Sequence, residues 1–393
     1  MKNKILIVTP FLMQGGVEHS LITALSGIDY ESNDVTLYLY KNELSLLSYV
    51  PKQVRVIKGF DNTHYYRKPY VATLLALSVV ARKTGLKNIE SKATTAIAKY
   101  IHNKKVIYPK TKHFKKDKFD VVISYCLHIG TEMALKVDSD KYYLFLHNSL
   151  TDYHSDIFEN CAGYYDSLLA VSYGVKQVYA KDYPEYANKL KVIDNFVDAS
   201  EIIEKSKKYK VDFRKESGEY LLCTCGRLAT EKGFDLAIEA ASTLKIKGYN
   251  FLWYFVGDGY FRENLEKIII KNKLEKNIKI TGFKENPYPY IACCDIYVQP
   301  SYEESQGLTI YEALILGKPI VSTDTVGGRC TLDEGRKGLL VPITGEGIAD
   351  GIKRLIDDRE ERITFENPIS LESNEIAKRK YYDSWNKLLN GEI

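Results

Sequence analysis

At 393 residues the chain is longer than one ordinary hydrophobic core organises, so two domains of roughly 150–200 residues are expected. Apolar residues at 45% and charged residues at 27% exclude a disordered or fibrous chain. The longest apolar stretch, Tyr70 to Ala81, falls well short of the ~20 residues a membrane-spanning helix needs. The net charge of +4 is unevenly placed: residues 61–118 hold 14 Lys/Arg against 3 Asp/Glu, which leaves the remainder acidic.

The opening MKNKILIVTPFLMQGG superficially resembles a signal peptide. Pro10 interrupts its apolar run and no small-residue cleavage site follows, so a buried first strand is the better reading. Gly15 and Gly16 come next, ahead of a helix near Val17, where backbone amides and the positive helix end suit an anion or a sugar. The pattern is not GxGxxG, which weakens a dinucleotide-cofactor reading. Further apolar runs DVTLYLY, FDVVISY, KYYLFLH and DSLLAVS alternate with helix-like segments, as in parallel βαβ units. His147 ends the fourth of these five strands. The DSD triplet at Asp138 to Asp140 precedes that strand and reads as a turn rather than as a metal ligand, and no metal is expected. The basic segment carries RKPYVATLLALSVVARK and then KYIHNKKVIYPKTKHFKKDK. It reads either as a core helix with a solvated loop or as a surface that docks on anionic lipid. No nucleic-acid-binding motif accompanies it.

After KVIDNFVD the rhythm breaks, and residues 201–218 read as a charged connector. A second series follows: YLLCTCG, NFLWYFVG, IKITGF, CDIYVQPS, KPIVST and KGLLVPI. Near-continuous apolar strands are expected where helices cover both faces of a sheet. The expected fold class is therefore α/β, with two Rossmann-like doubly wound domains facing across a cleft. Residues 1–200 and 219–375 form the domains, and a C-terminal helix within 376–393 packs back on the first. The seven cysteines include no CxxC pair; Cys223 with Cys225, and Cys293 with Cys294, lie in apolar runs. They read as buried thiols in a reducing cytoplasm.

Ligands of doubly wound sheets bind beyond the carboxyl ends of the strands. Arg227 stands directly after YLLCTCG, and Lys232 follows just before a helix from Phe234, an arrangement suited to clamping a pyrophosphate. After IYVQP comes a turn from Ser301 to Gly307, then a helix from Leu308 to Leu316 capped by Gly317. Glu304 lies before that helix and Glu312 within it. Carboxylates would repel a bound phosphate, so these two should accept from hydroxyls, as of a vicinal diol.

The motifs GRLATEKG, VGDG, ITGF and PSYEESQGLTIYEALILGKPIVSTDTVGG, in this order, resemble the family 4 retaining glycosyltransferases of GT-B architecture. The resemblance covers residues 219–345, and QGGVEHS extends it to the first domain. Residues 60–115 match nothing recognisable. The resemblance implies that Arg227 and Lys232 bind a donor diphosphate, that Glu312 binds the ribose, and that Glu304 and His147 hold the transferred sugar. It places Gly15 and Gly16 near the diphosphate or acceptor and Gly282 with Phe283 at the nucleobase. The loop Glu304, Ser305, Gln306, Gly307 and Leu308 completes the donor site. Where the family commonly has glycine and an aromatic residue after the first glutamate, this chain has Ser305 and Gln306.

The implied reaction moves a sugar, with retention, from a nucleotide diphosphate, with UDP the expected carrier. The acceptor would be a glycan or lipid-linked sugar in surface polysaccharide or glycoconjugate synthesis. Neither cofactor nor metal is expected, because the Arg–Lys pair and a helix end can neutralise the leaving diphosphate. The expected location is the cytoplasm, peripheral to the inner face of the membrane. Two other readings remain on the same architecture: a nucleotide-sugar 2-epimerase, and a non-catalytic subunit that binds a partner transferase.

Overall fold

A computed structural model of the chain describes residues 2–13, 15–40, 44–58, 73, 77, 80, 114, 117–128, 130–147, 152–211 and 218–393. The chain divides into two units. The first comprises residues 1–171, 176–194 and 381–393, and the second residues 172–175 and 195–380.

The first unit holds β1 (Asn3–Thr9), β2 (Asn33–Leu39), β3 (Arg55–Lys58), β4 (Lys118–Ser124), β5 (Asp138–Leu146), β6 (Ser167–Ala170) and β7 (Leu190–Val192). They form one sheet in the order β3-β2-β1-β4-β5-β6-β7, and every pairing in it is parallel. Ile5, Leu6, Ile7, Val122 and Ile123 are fully buried, as befits central strands covered on both faces. The opening stretch is thus a strand, and Gly16–Ser26 is the helix after it. The five apolar runs miss the three-residue β7 and also miss β3. It has four residues, lies at the sheet edge, and exposes a cation at each end, which is how short edge strands resist further pairing.

Residues 138–140 correct an expectation. They are the first residues of β5, not a turn, and pair with Lys118 and Phe119 of β4. The Asp140 carboxylate meets the Lys118 ammonium at 2.6 Å, so the triplet is an ion-paired strand start. The rest of the basic segment, and with it the expected lipid-docking surface, lies outside the described residues apart from isolated positions. Among the described residues, no helix is long and apolar enough to cross a membrane.

The second unit holds β8 (Tyr220–Cys225), β9 (Phe251–Val256), β10 (Ile278–Gly282), β11 (Ile296–Gln299), β12 (Ile320–Thr323) and β13 (Leu339–Val341). Their order is β10-β9-β8-β11-β12-β13, again all parallel. All six were expected as strands. The chain starts at β8, winds outward to β10, then crosses back to β11, so β8 and β11 flank the point where the winding direction reverses.

The stretch expected as a connector differs in its first part. A helix, Ala199–Ser206, begins it, capped by Asp198, which accepts from the Ser200 and Glu201 amides. Ala199 and Ile202 are buried against Ile315, and the helix belongs to the second unit. Its five charged or hydroxyl side chains disguise a narrow apolar stripe. The last helix runs unbroken from Leu371 to Leu389. Residues up to Lys380 belong to the second unit and those from Tyr381 to the first, where Trp385 stacks on Phe145 with ring centroids 5.3 Å apart. The cysteines are all free thiols. Cys161, Cys223, Cys225 and Cys294 are buried as expected, but Cys126 and Cys293 are half-buried and Cys330 is exposed.

Candidate active site

The switch point of the second sheet brings two loops together. The loop after β8 carries Arg227 and Lys232; the loop after β11 carries Glu304. Gly233 has a left-handed φ of 64°, and a Cβ there would fall 2.0 Å from the Pro300 carbonyl oxygen. Only glycine permits both the turn and the close approach of the second loop. The Tyr302 amide donates to the Glu231 carbonyl at 2.9 Å, which joins the loops again.

The Lys232 ammonium reaches Glu304 Oε1 at 2.6 Å. The same oxygen accepts from Gln299 Nε2 and from Ser301 Oγ, each at 2.9 Å. Gln299 is held in turn, its Oε1 accepting from Tyr297 OH at 3.0 Å and from Thr309 Oγ1 at 2.9 Å. Three donors on one oxygen fix the carboxylate of a side chain only 10% exposed, and an ionised partner makes one of those bonds strong. Arg227 behaves differently. Its guanidinium is 64% exposed and pairs with Glu231 at 3.1 Å, a contact worth little in water. The two cations of the expected clamp therefore stand in the same loop with different partners.

Gly307, at φ 71°, precedes the helix Leu308–Ile315. Glu312 sits in that helix, half-buried, and accepts from Tyr288 OH at 3.4 Å. Burial raises its carboxyl pKa to about 7, against the opposing pull of the Tyr288 hydroxyl and the Lys205 charge. Its charge raises the Tyr288 hydroxyl in return. Glu304 and Glu312 thus share a loop and helix but have separate partners. Gly282 ends β10 at φ 73°, and the Phe283 that follows is half exposed.

Gly15, Gly16 and His147 lie in the first unit. Gly15 is the extended residue before the helix Gly16–Ser26. His147 directly follows β5, buried, with its ring 4.8 Å from that of Tyr125 and 5.9 Å from that of Phe145. Burial lowers its pKa to about 4, opposed by a hydrogen bond to the Tyr125 backbone, so the ring is neutral at physiological pH. Nε2 finds no partner among the described residues. With the other nitrogen donating to Tyr125, Nε2 of the neutral ring is an acceptor. On the sugar-holding role that the motif resemblance implies for it, His147→Ala should lower sugar transfer about tenfold or more with UDP affinity unchanged, measured by turnover and calorimetry. A parallel loss of both would mark the histidine as structural.

Sequence reasoning missed Gln299, Ser301 and Tyr288 as site residues. A glutamine ending the apolar run IYVQ is a readable signal, because a buried amide must serve a partner. Nothing marks Tyr288 within NPYPYIACC. Among the described residues no three His, Cys, Asp or Glu side chains gather as a metal site requires.

Residues 205–368 match the family described as glycosyl transferases group 1. Over this stretch the chain is similar to the glycosyl transferases group 1. The matched stretch holds Arg227, Lys232, Glu304 and Glu312. Curated relatives include an alpha-D-kanosaminyltransferase of Streptomyces kanamyceticus, 35% identical over 35% of this chain and 36% of the relative. Another is a lipopolysaccharide core biosynthesis glycosyltransferase, LpsE, of Rhizobium meliloti, 29% identical over 44% of this chain and 49% of the relative. The chain thus spans between about a third and a half of the length of these relatives. Among solved structures, HepE of Anabaena in complex with UDP and glucose superposes with a TM-score of 0.66. It is 18% identical and covers 99% of this chain and 98% of its own. The fold around the matched stretch is GT-B, two parallel-sheet Rossmann-like units.

Proposed function

We propose that the protein is a retaining glycosyltransferase that moves a hexosyl or N-acetylhexosaminyl group from a UDP-linked donor to a glycan or lipid-linked sugar. The observation that carries this reading is the Lys232–Glu304 ion pair at the switch point of the second sheet. It sets a cation for phosphate beside a carboxylate for hydroxyls, the two chemistries a nucleotide sugar presents at its reacting bond. Lys232 spends one of its three N–H donors on Glu304 and keeps two for the diphosphate. Arg227, exposed on the same loop, adds a second cation.

In the reaction the bond between the anomeric carbon and the β-phosphate oxygen breaks, and negative charge grows on the diphosphate. Lys232 and Arg227 stabilise that charge as it develops. Glu304 holds the sugar's hydroxyls, and His147 Nε2 accepts from another. Glu312 accepts from the ribose, and Phe283 lies against the base. The departing phosphate takes the acceptor's proton as the new bond forms on the same face. UDP is chosen as carrier because the similarly folded Anabaena protein was solved with UDP and glucose. Synthesis of surface glycans is chosen because one relative acts in lipopolysaccharide core biosynthesis. The place of action is the cytoplasm, at the inner face of the membrane.

A panel of UDP-glucose, UDP-galactose and UDP-N-acetylglucosamine tests this reading. At least one should raise Tm by a few degrees at saturating concentration and be hydrolysed slowly without acceptor, with EDTA changing neither. Stabilisation without hydrolysis by any of the three would indicate a binding subunit. Inversion at C2 without release of UDP would indicate an epimerase. Activity lost to EDTA and restored by magnesium or manganese would overturn the metal-free chemistry.

A further inference from the structure

The loop from Glu304 to Gln306 has no regular secondary structure, yet its backbone carbonyls are tied one by one. The Glu304 carbonyl accepts from the Gly327 amide at 2.7 Å. The Ser305 carbonyl accepts from Ser172 Oγ at 3.0 Å, and the Gln306 carbonyl from Thr331 Oγ1. Three consecutive carbonyls thus have three separate donors, which leaves the loop little freedom. The side chain of Gln306 is tied as well. Its Oε1 accepts from Asn195 Nδ2 at 2.5 Å, and its Nε2 donates to the Asn195 carbonyl at 3.4 Å.

Asn195 stands at a distinctive point of the chain. Asp194 is the last residue of the first unit's stretch and Asn195 the first of the second's. Three residues later Asp198 caps the helix Ala199–Ser206, and Asn374 fixes the backbone on both sides of that cap. Its Oδ1 accepts from the Ala199 amide and its Nδ2 donates to the Val197 carbonyl, each at 2.9 Å. Asn195 is therefore presented from an anchored segment, whereas Gln306 sits on a loop. A two-point amide pair between them transmits position from the anchored segment to the loop.

We propose that Asn195 is a positioning residue for Glu304: by pairing with Gln306 it fixes the conformation in which residues 304–307 hold the donor's sugar. The inference rests on the reading of Glu304 as the sugar-holding carboxylate. It also gives Gln306 a task, since its amide is engaged with Asn195 and the loop's sugar contacts fall to Glu304 and the backbone. Arg227 and Glu312 have other partners, so the contacts they make to the nucleotide do not depend on this pair.

The test compares Asn195→Ala, Gln306→Leu and the double variant, with UDP itself as the binding probe and the UDP-sugar that wild type turns over as substrate. Each single variant should lower kcat about tenfold or more, as misplacing a sugar-holding group does. UDP affinity should stay within about twofold, and the double variant should be no slower than the worse single. Gln306→Leu keeps every backbone bond of the loop and decides the question by the same criteria if Asn195→Ala does not fold. Turnover within twofold of wild type in a folded single variant overturns the inference. So do losses that multiply in the double variant, an equal loss of UDP affinity, or failure of both singles to fold. Glu304→Gln separates this from the parent reading. If Glu304→Gln retains full turnover, the site assignment itself falls; if it is inactive while Asn195→Ala is active, only the role of Asn195 falls.

Discussion

Lys232→Ala is expected to slow turnover by on the order of a hundred- to a thousand-fold, the usual cost of removing one donor from a developing anion. The same change should also lower stability. Lys232 is the only ionised donor among the three described partners of Glu304 Oε1, and that carboxylate is largely buried. Leaving it with neutral partners alone costs about 1–3 kcal/mol, or a few degrees in Tm. The two effects can be separated. In Lys232→Met with Glu304→Gln the site has no charge to strand, so Tm should recover while turnover does not. A wild-type rate in Lys232→Ala, or recovery of rate along with Tm, would remove the ammonium from the chemistry.

Glu312→Gln should act in opposite directions on binding and on stability. The carboxyl has a folded pKa of about 7 against 4.5 unperturbed. Its ionised form is therefore disfavoured by folding. The penalty is absent below about pH 4.5, builds as pH rises toward 7, and is complete above it. A side chain half open to solvent realises part of that shift, about 1–3 kcal/mol. Glu312→Gln should accordingly melt a few degrees higher than wild type at pH 8 and no higher at pH 4.5. Its UDP affinity should nevertheless drop at least tenfold, because an amide offers one acceptor oxygen where a ribose diol needs two.

The pH profile gives a second handle on the same residue. As pH falls from 8 to 6, Glu312 takes up a proton and loses acceptor capacity, so wild-type UDP affinity should decline. The terminal phosphate of UDP titrates near roughly pH 6 as well. Glu312→Gln, which keeps that titration and loses the carboxyl, supplies the baseline. Matching pH profiles in the two proteins would dissociate Glu312 from the ribose, as would an unchanged UDP affinity at pH 8.

Much of the second sheet was legible because its strands are continuous apolar runs, a pattern that a doubly covered parallel sheet imposes. The strand ends likewise put Arg227, Lys232 and Glu304 on the loops after β8 and β11, where the structure has them. β3 was not legible, because an edge strand of four residues with charged ends has too little apolar surface to stand out. The DSD triplet was misjudged as a turn because its stabilising partner, Lys118, lies on another strand. The helix Ala199–Ser206 looked like a linker because Glu201, Glu204 and Lys205 outnumber the two residues it buries. Gln299 could have been found from burial logic alone. The Asn195–Gln306 pair could not: its members lie 111 residues apart, and each is an ordinary polar residue in its local setting. Pairings of that kind exist only once the chain is folded.

The backbone approach at Gly233 bears on how sugar preference could be re-engineered. The loop after β8 and the loop after β11 meet main chain to main chain, through Gly233 against the Pro300 carbonyl and Tyr302 against the Glu231 carbonyl. A segment spanning 299–307 borrowed from a relative would arrive with its own height above the sheet and meet a floor shaped for the native one. Residues 227–233 and 299–307 therefore form one transplantable module. A graft of either half alone would disturb the Lys232–Glu304 spacing before any sugar contact had been changed.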